Sequence, residues 1–138
     1  MTETKPHEGG CQCGRIRYRI SGTPSTTCNC HCSQCRMAAG AAFVTWSVFP
    51  AEAVTFTKER PQFYRSSDAA ERGFCPACGT TLTFCYLDGE TIDIATATLD
   101  DPNTLPPQEN IWTRSKVAWV TLEDDLPQYP EERDRAAN

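Results

Sequence analysis

Cys75-Pro76-Ala77-Cys78-Gly79 decides how this chain is read. A CxxC turn brings two thiolates to one point, and the glycine that follows can supply the positive φ the turn favours. Much earlier, Cys11-Gln12-Cys13-Gly14 aims a second pair of sulfurs to one side, because residues two apart in extended backbone face the same way. Between them, Cys30-His31-Cys32-Ser33-Gln34-Cys35 combines both spacings, so three thiolates can converge from one short segment. The chain holds 9 cysteines in 138 residues. An odd count in so short a chain weakens a fully disulfide-paired reading and favours metal binding.

Composition narrows the class. With 39% hydrophobic and 22% charged residues the chain is an ordinary globular sequence, long enough for one modest core. Its net charge of -5 argues against a nucleic-acid binder, which needs basic surface to displace phosphate counterions. Arg15, Arg17 and Arg19 are read as the solvent face of a strand whose other face is Ile16, Tyr18 and Ile20. The opening residues Met1 to Pro6 lack an apolar core of the signal-peptide kind. No stretch approaches the ~20 apolar residues of a membrane helix. The expectation is a cytoplasmic protein with reduced thiols and neither nucleic-acid nor membrane partners.

Organisation follows from turn signals and alternation. Residues 1–8 are expected to be a flexible lead-in, 9–130 a single domain, and 131–138 a disordered tail. Strands are expected over 15–20, 42–49, 54–57 and, more weakly, 63–65. A hairpin joins 80–86 to 91–98, and one helical turn over 34–39 ends at Gly40. From Asn103 onward the chain is Pro-rich with little periodicity. The architecture is mainly β with short helical turns.

Zinc suits these ligands: it takes four soft donors tetrahedrally, with sulfur at ~2.3 Å. Cys11, Cys13, Cys75 and Cys78 make a closed four-sulfur site that would clamp the N-terminal strand to a distant turn. Cys30, Cys32 and Cys35 then form a second, three-ligand site, and three ligands with one open position are the usual architecture of catalytic zinc. Spacing alone admits other assignments. Cys30 and Cys32 can pair with the CxxC instead. His31 or Cys28 can complete a second structural site. The cysteines can be buried hydrophobes or ligands of an iron–sulfur cluster.

Gly9-Gly10-Cys11-Gln12-Cys13-Gly14 with Arg17-Tyr18, the segment Cys30 to Arg36, Gly40-Ala41, and Arg72-Gly73-Phe74-Cys75-Pro76-Ala77-Cys78-Gly79 with Leu82 together resemble one family. Leu99-Asp100-Asp101-Pro102, Trp119 and Asp124-Asp125-Leu126-Pro127 also fit. This is the glutathione-dependent formaldehyde-activating enzyme (GFA) family, which shares its domain with centromere protein V. The resemblance implies an Mss4-like (β-tent) zinc-binding fold. It also implies about two zinc ions per chain, structural at Cys11, Cys13, Cys75 and Cys78, and open at Cys30, Cys32 and Cys35. It implies a carbon–sulfur lyase of the S-(hydroxymethyl)glutathione synthase type, acting on a small thiol such as glutathione and an aldehyde-like electrophile. An open zinc can hold a thiol as thiolate, and three thiolate ligands make polarising a carbonyl the weaker role. In many members a histidine precedes the Ile-Trp/Tyr pair where this chain has Asn110 before Ile111-Trp112.

Other residues complete the expectations. Gln34 and Arg36 flank the open site as candidate substrate contacts; Arg36 either attracts a substrate carboxylate or is a solvated surface charge. His31 points away from the metal its neighbours share, in a supporting or surface role. Cys28 is read as a buried thiol and Cys85 as core. Trp46, Trp112 and Trp119 are read as core or cover, Asp68, Glu71 and Arg72 as loop charges, and Asp100, Asp101, Asp124 and Asp125 as turn caps. The competing function is a non-catalytic zinc-binding module for protein partners, with both zinc sites structural.

Overall fold

The computed structural model describes residues 5–122 and 125–133. The expectations for residues 1–4, for Asp124 and for residues 134–138 lie outside them. The fold is mainly β. A three-stranded sheet is built from β1 (His7–Gly10), β2 (Arg17–Ile20) and β5 (Val54–Phe56), in the order β1-β2-β5. A seven-stranded sheet adds β3 (Thr26–Cys30), β4 (Val44–Pro50), β6 (Gln62–Arg65), β7 (Ala70–Phe74), β8 (Thr81–Tyr86), β9 (Thr91–Ala95) and β10 (Glu109–Ile111). Its order is β10-β3-β4-β9-β8-β7-β6. Every pairing between these strands is antiparallel except β10 with β3. The α-helix among the described residues is α1 (Ser33–Ala39), closed by Gly40 in the left-handed region.

Alternation gives the large sheet two working faces. Phe49, Ile92 and Ile94 join Ile16, Tyr18, Ile20 and Leu99 in one core, which the small sheet covers. Val44 and Trp46, two apart on β4, pack with Cys28, Cys30, Cys35 and Ile111 in a second core. A register shift at Gly73/Phe74 lets Leu82 enter the first core although Phe84, two residues on, packs against the second.

The small sheet is fixed by close approach. A Cβ on Gly9 would lie 2.4 Å from the Tyr18 hydroxyl and 2.5 Å from the Thr98 carbonyl oxygen, so only glycine fits. Tyr18 is itself held by a 2.7 Å hydrogen bond between its hydroxyl and that of Thr98.

Several expectations change. The lead-in is shorter than 1–8, because His7 and Glu8 pair with Ile20 and Arg19 in β1. The tail is not free at its start, because the Trp112 amide donates to the Glu131 carbonyl and the Arg133 guanidinium pairs with Glu109. The region after Asn103 contains β10, whose three residues are all buried. Arg72 is a strand residue, 7% exposed, rather than a loop charge. Trp119 is 77% exposed and covers no core.

Candidate metal centre and cleft

The turn after β1, residues 11–14, meets the turn between β7 and β8. The Cys11 and Cys13 sulfurs are 3.5 Å apart, and those of Cys13 and Cys75 are 3.8 Å apart. All four sulfurs of Cys11, Cys13, Cys75 and Cys78 lie within 4.8 Å of one another. Tetrahedral ligands at ~2.3 Å from a shared ion sit about 3.8 Å apart, so the set fits a four-coordinate metal. Local backbone explains the convergence. Gly14 and Gly79 take φ of 81° and 83°, and their amides close tight turns on the Cys11 and Cys75 carbonyls. The sulfurs receive neutral donors: the Ile16 amide donates to Cys11 at 3.2 Å, the Cys78 amide donates to Cys75 at 3.5 Å, and the Thr80 hydroxyl lies 3.2 Å from Cys78. Hydrogen bonds from Thr80 hold the Cys78 thiol down at about 5, a state ready to bind a cation.

The second cluster is assembled by a strand end and a helix start. Cys30 is the last residue of β3, Cys32 caps α1, and Cys35 lies in its first turn. The Cys32 sulfur accepts from the Cys35 amide at 3.3 Å, and the Cys30 and Cys35 sulfurs are 3.5 Å apart. The three sulfurs lie within 4.8 Å of one another, and no fourth Cys, His, Asp or Glu joins them among the described residues. Pairing with Cys30 and then Cys35 pushes the Cys32 thiol down to about 2, while pairing with Cys32 and Cys35 pushes Cys30 strongly up.

A cleft of about 460 Å³ opens over this cluster and is lined by all three sulfurs. Trp46, Phe84, Ile111 and Trp112 supply apolar wall, and Ser33, Gln34 and Asp93 supply polar groups. Glu132 and Arg133 form part of the rim, carried by a segment that runs beside β10. That segment is tied down by hydrogen bonds from the Asn110, Trp112, Thr113 and Arg114 amides to the Pro127, Glu131, Tyr129 and Pro130 carbonyls.

Each expected site residue has a definite place. Gln34 lines the cleft; Arg36 does not, and its Nε is buried without a hydrogen-bond partner among the described residues. His31 is fully buried rather than at the surface. Its Nε2 is 3.0 Å from the Asn110 Oδ1, and its ring packs 4.9 Å from that of Phe43. Asn110 is 1% exposed and lies outside the cleft lining, and its side chain holds the buried His31 ring. Cys28 lines the cleft but stands apart from the sulfur cluster, and burial pushes its thiol up to about 12. Cys85 is half-buried on β8 beside the first core.

Arg72 is the residue that sequence reasoning misplaced. Its Nη2 donates to the Cys35 sulfur at 3.6 Å, and its guanidinium carbon sits 4.9 Å from the Phe84 ring centroid. A signal was present: Arg72 stands between Ala70 and Phe74, two residues either way, on a stretch leading straight into Cys75.

Comparison with known proteins adds to this geometry. The family model described as "Glutathione-dependent formaldehyde-activating enzyme" matches residues 6–115. An otherwise uncharacterized lyase of Schizosaccharomyces pombe is 39% identical over 85 residues, which span 61% of this chain and 61% of that protein. The match therefore covers less than two thirds of that relative's length. A Halomonas elongata protein, provisionally named as a glutathione-dependent formaldehyde-activating enzyme, is 28% identical over 126 residues, 84% of this chain and 80% of its own. A crystal structure of a Rhodobacter sphaeroides protein superposes with a TM-score of 0.56 at 17% identity, covering 88% of this chain and 98% of the other, which is a likeness of fold.

Proposed function

This chain belongs to the glutathione-dependent formaldehyde-activating enzyme (GFA) family, and on that premise we propose that it is a zinc-dependent carbon–sulfur lyase that makes and breaks adducts between a small thiol and an aldehyde-like electrophile. The observation that carries the reading is the contrast between the two sulfur clusters. One has four sulfurs, enough for a tetrahedral shell; the other has three and lines a cleft. The soft thiolate donors suit zinc at both. Zinc at Cys30, Cys32 and Cys35 would supply a vacant position that keeps a thiol deprotonated at neutral pH.

The chain's own residues do the rest. Trp46, Phe84 and Trp112 limit water around the reacting sulfur, and Gln34 offers an amide to the polar part of the substrate. In the forward direction the thiol gives up its proton to water, its sulfur lone pair forms the S–C bond, the carbonyl π pair moves to oxygen, and that oxygen takes a proton back from water. Cleavage is the reverse. Glutathione is the candidate thiol, in line with the name of the Halomonas relative. The open cleft favours this reading over a module with two structural zincs, which needs no cavity over its metal.

The test measures how fast glutathione and formaldehyde equilibrate with S-(hydroxymethyl)glutathione, with metal-loaded protein against the uncatalysed mixture. Acceleration proportional to protein, and lost in Cys32→Ser while metal at the four-sulfur cluster is retained, is expected. Fully loaded protein that accelerates neither this reaction nor its counterpart with other small thiols refutes the proposal.

A further inference from the structure

Arg72 carries a permanent charge in a place where such charges are rare. It is 7% exposed, yet among the described residues its Nε and Nη1 have no hydrogen-bond partner, and the partner of its Nη2 is a sulfur. A buried guanidinium ordinarily faces a carboxylate. Here it contacts the three-cysteine cluster from the cleft wall, with its guanidinium carbon 4.9 Å from the Phe84 ring centroid. The four-sulfur cluster differs: the hydrogen bonds to its sulfurs come from backbone amides and a threonine hydroxyl.

Charge arithmetic gives the difference a meaning. Three thiolates around a dication leave one net negative charge, and a thiolate entering the vacancy makes it two. The cleft mixes apolar wall (Trp46, Phe84, Ile111 and Trp112) with charged groups, namely Asp93, Glu132, Arg114, Arg133 and Arg72, and of these it is Arg72 that hydrogen-bonds a cluster sulfur among the described residues, so charge growing at the cluster is met first by Arg72. A fixed cation in contact with one of the sulfurs opposes the cost of that charge, and an arginine keeps its charge at any physiological pH.

We propose that Arg72 is the positioning residue that lets the three-cysteine cluster accept an anionic fourth ligand, through its contact with Cys35. This rests on the zinc reading above but asks a separate question: why the open cluster binds an anion at all. The closed cluster reaches the same net charge, but Cys13 is exposed and Cys78 half-buried, so water solvates it, whereas Cys30 and Cys35 are buried.

The experiment loads the full-length protein with Co²⁺ and follows the visible d–d and sulfur-to-metal bands while glutathione, or in a separate arm azide, is titrated in. Wild type is compared with Arg72→Met, Arg72→Gln and Arg72→Lys. Cobalt content at the four-sulfur cluster reports folding in each variant. We expect Arg72→Met to weaken binding of both probes at least tenfold while the four-sulfur cluster stays loaded, and Arg72→Lys to restore most of the loss. Arg72→Gln, which keeps a polar donor without the charge, carries the same expectation should the Met variant fail to fold. Neutral variants that bind both probes as wild type does overturn the proposal, as does a wild type that binds neither. Azide binding that depends on Arg72, alongside no response to glutathione or other thiols, upholds the inference and instead removes the thiol substrate.

Discussion

Replacing Cys11 and Cys13 by serine tests the four-sulfur cluster as a clamp. The two sulfurs come from the turn after β1, and 62 residues separate Cys13 from Cys75 on the opposite turn. The chain-entropy expression for a cross-link closing a loop of that length gives about 4 kcal/mol at room temperature. Serine keeps an oxygen where Cys11 accepts the Ile16 amide, so little of the change comes from a lost hydrogen bond. The assay is urea unfolding of wild type and Cys11→Ser/Cys13→Ser, each with metal and after exhaustive chelation, with metal content measured in parallel. With a slope of about 2 kcal/mol/M, a loss of about 4 kcal/mol moves the metal-loaded midpoint by about 2 M. After chelation the two proteins should differ by about 1 kcal/mol or less, because the clamp is then absent from both. Equal midpoints for the loaded proteins refute the clamp. An equally large gap after chelation assigns the loss to packing instead.

Three further outcomes follow from individual contacts. Cys28→Ala should leave the metal content of both clusters unchanged in elemental analysis and cost about 1 kcal/mol in denaturant unfolding, since Cys28 is buried but stands outside the sulfur cluster. Asn110→Ala strips the buried His31 Nε2 of its partner and should cost about 1–3 kcal/mol, while glutathione affinity measured with the cobalt-loaded protein stays within about threefold because Asn110 does not line the cleft. Gly9→Ala should lower stability by about 2 kcal/mol or more and shift the near-ultraviolet signal of Tyr18, because the added methyl collides with the tyrosine hydroxyl and the Thr98 carbonyl.

The sequence was most readable where chemistry and backbone period coincide. Cys11 and Cys13, Cys75 and Cys78, and Cys30, Cys32 and Cys35 meet as their spacings suggest, and Ile16, Tyr18 and Ile20 alternate inward as a half-buried strand should. What stayed hidden depends on distant partners. β10 has three residues, too few for a period, and is a strand because Glu109, Asn110 and Ile111 register against Cys28, Asn29 and Cys30. Arg72 looks like surface charge because nothing local says that Cys35 and Phe84 will lie beside it. His31 sits between two ligand cysteines, yet its orientation is set by Asn110 and Phe43 from other elements. Trp119 shows the opposite failure, a large apolar side chain that local composition assigns to cover and the fold leaves outside.

The strip of chain from Pro127 to Arg133 lies beyond the residues 6–115 shared with the family pattern, yet it shapes the mouth above the three sulfurs. Part of the cleft wall thus comes from a stretch outside the family pattern, while the three sulfurs and the rest of the lining lie inside it. Substitutions at Glu132 and Arg133 would change the cleft wall while every thiol stays where it is. Grafting that strip between relatives should exchange substrate preference and leave metal uptake alone.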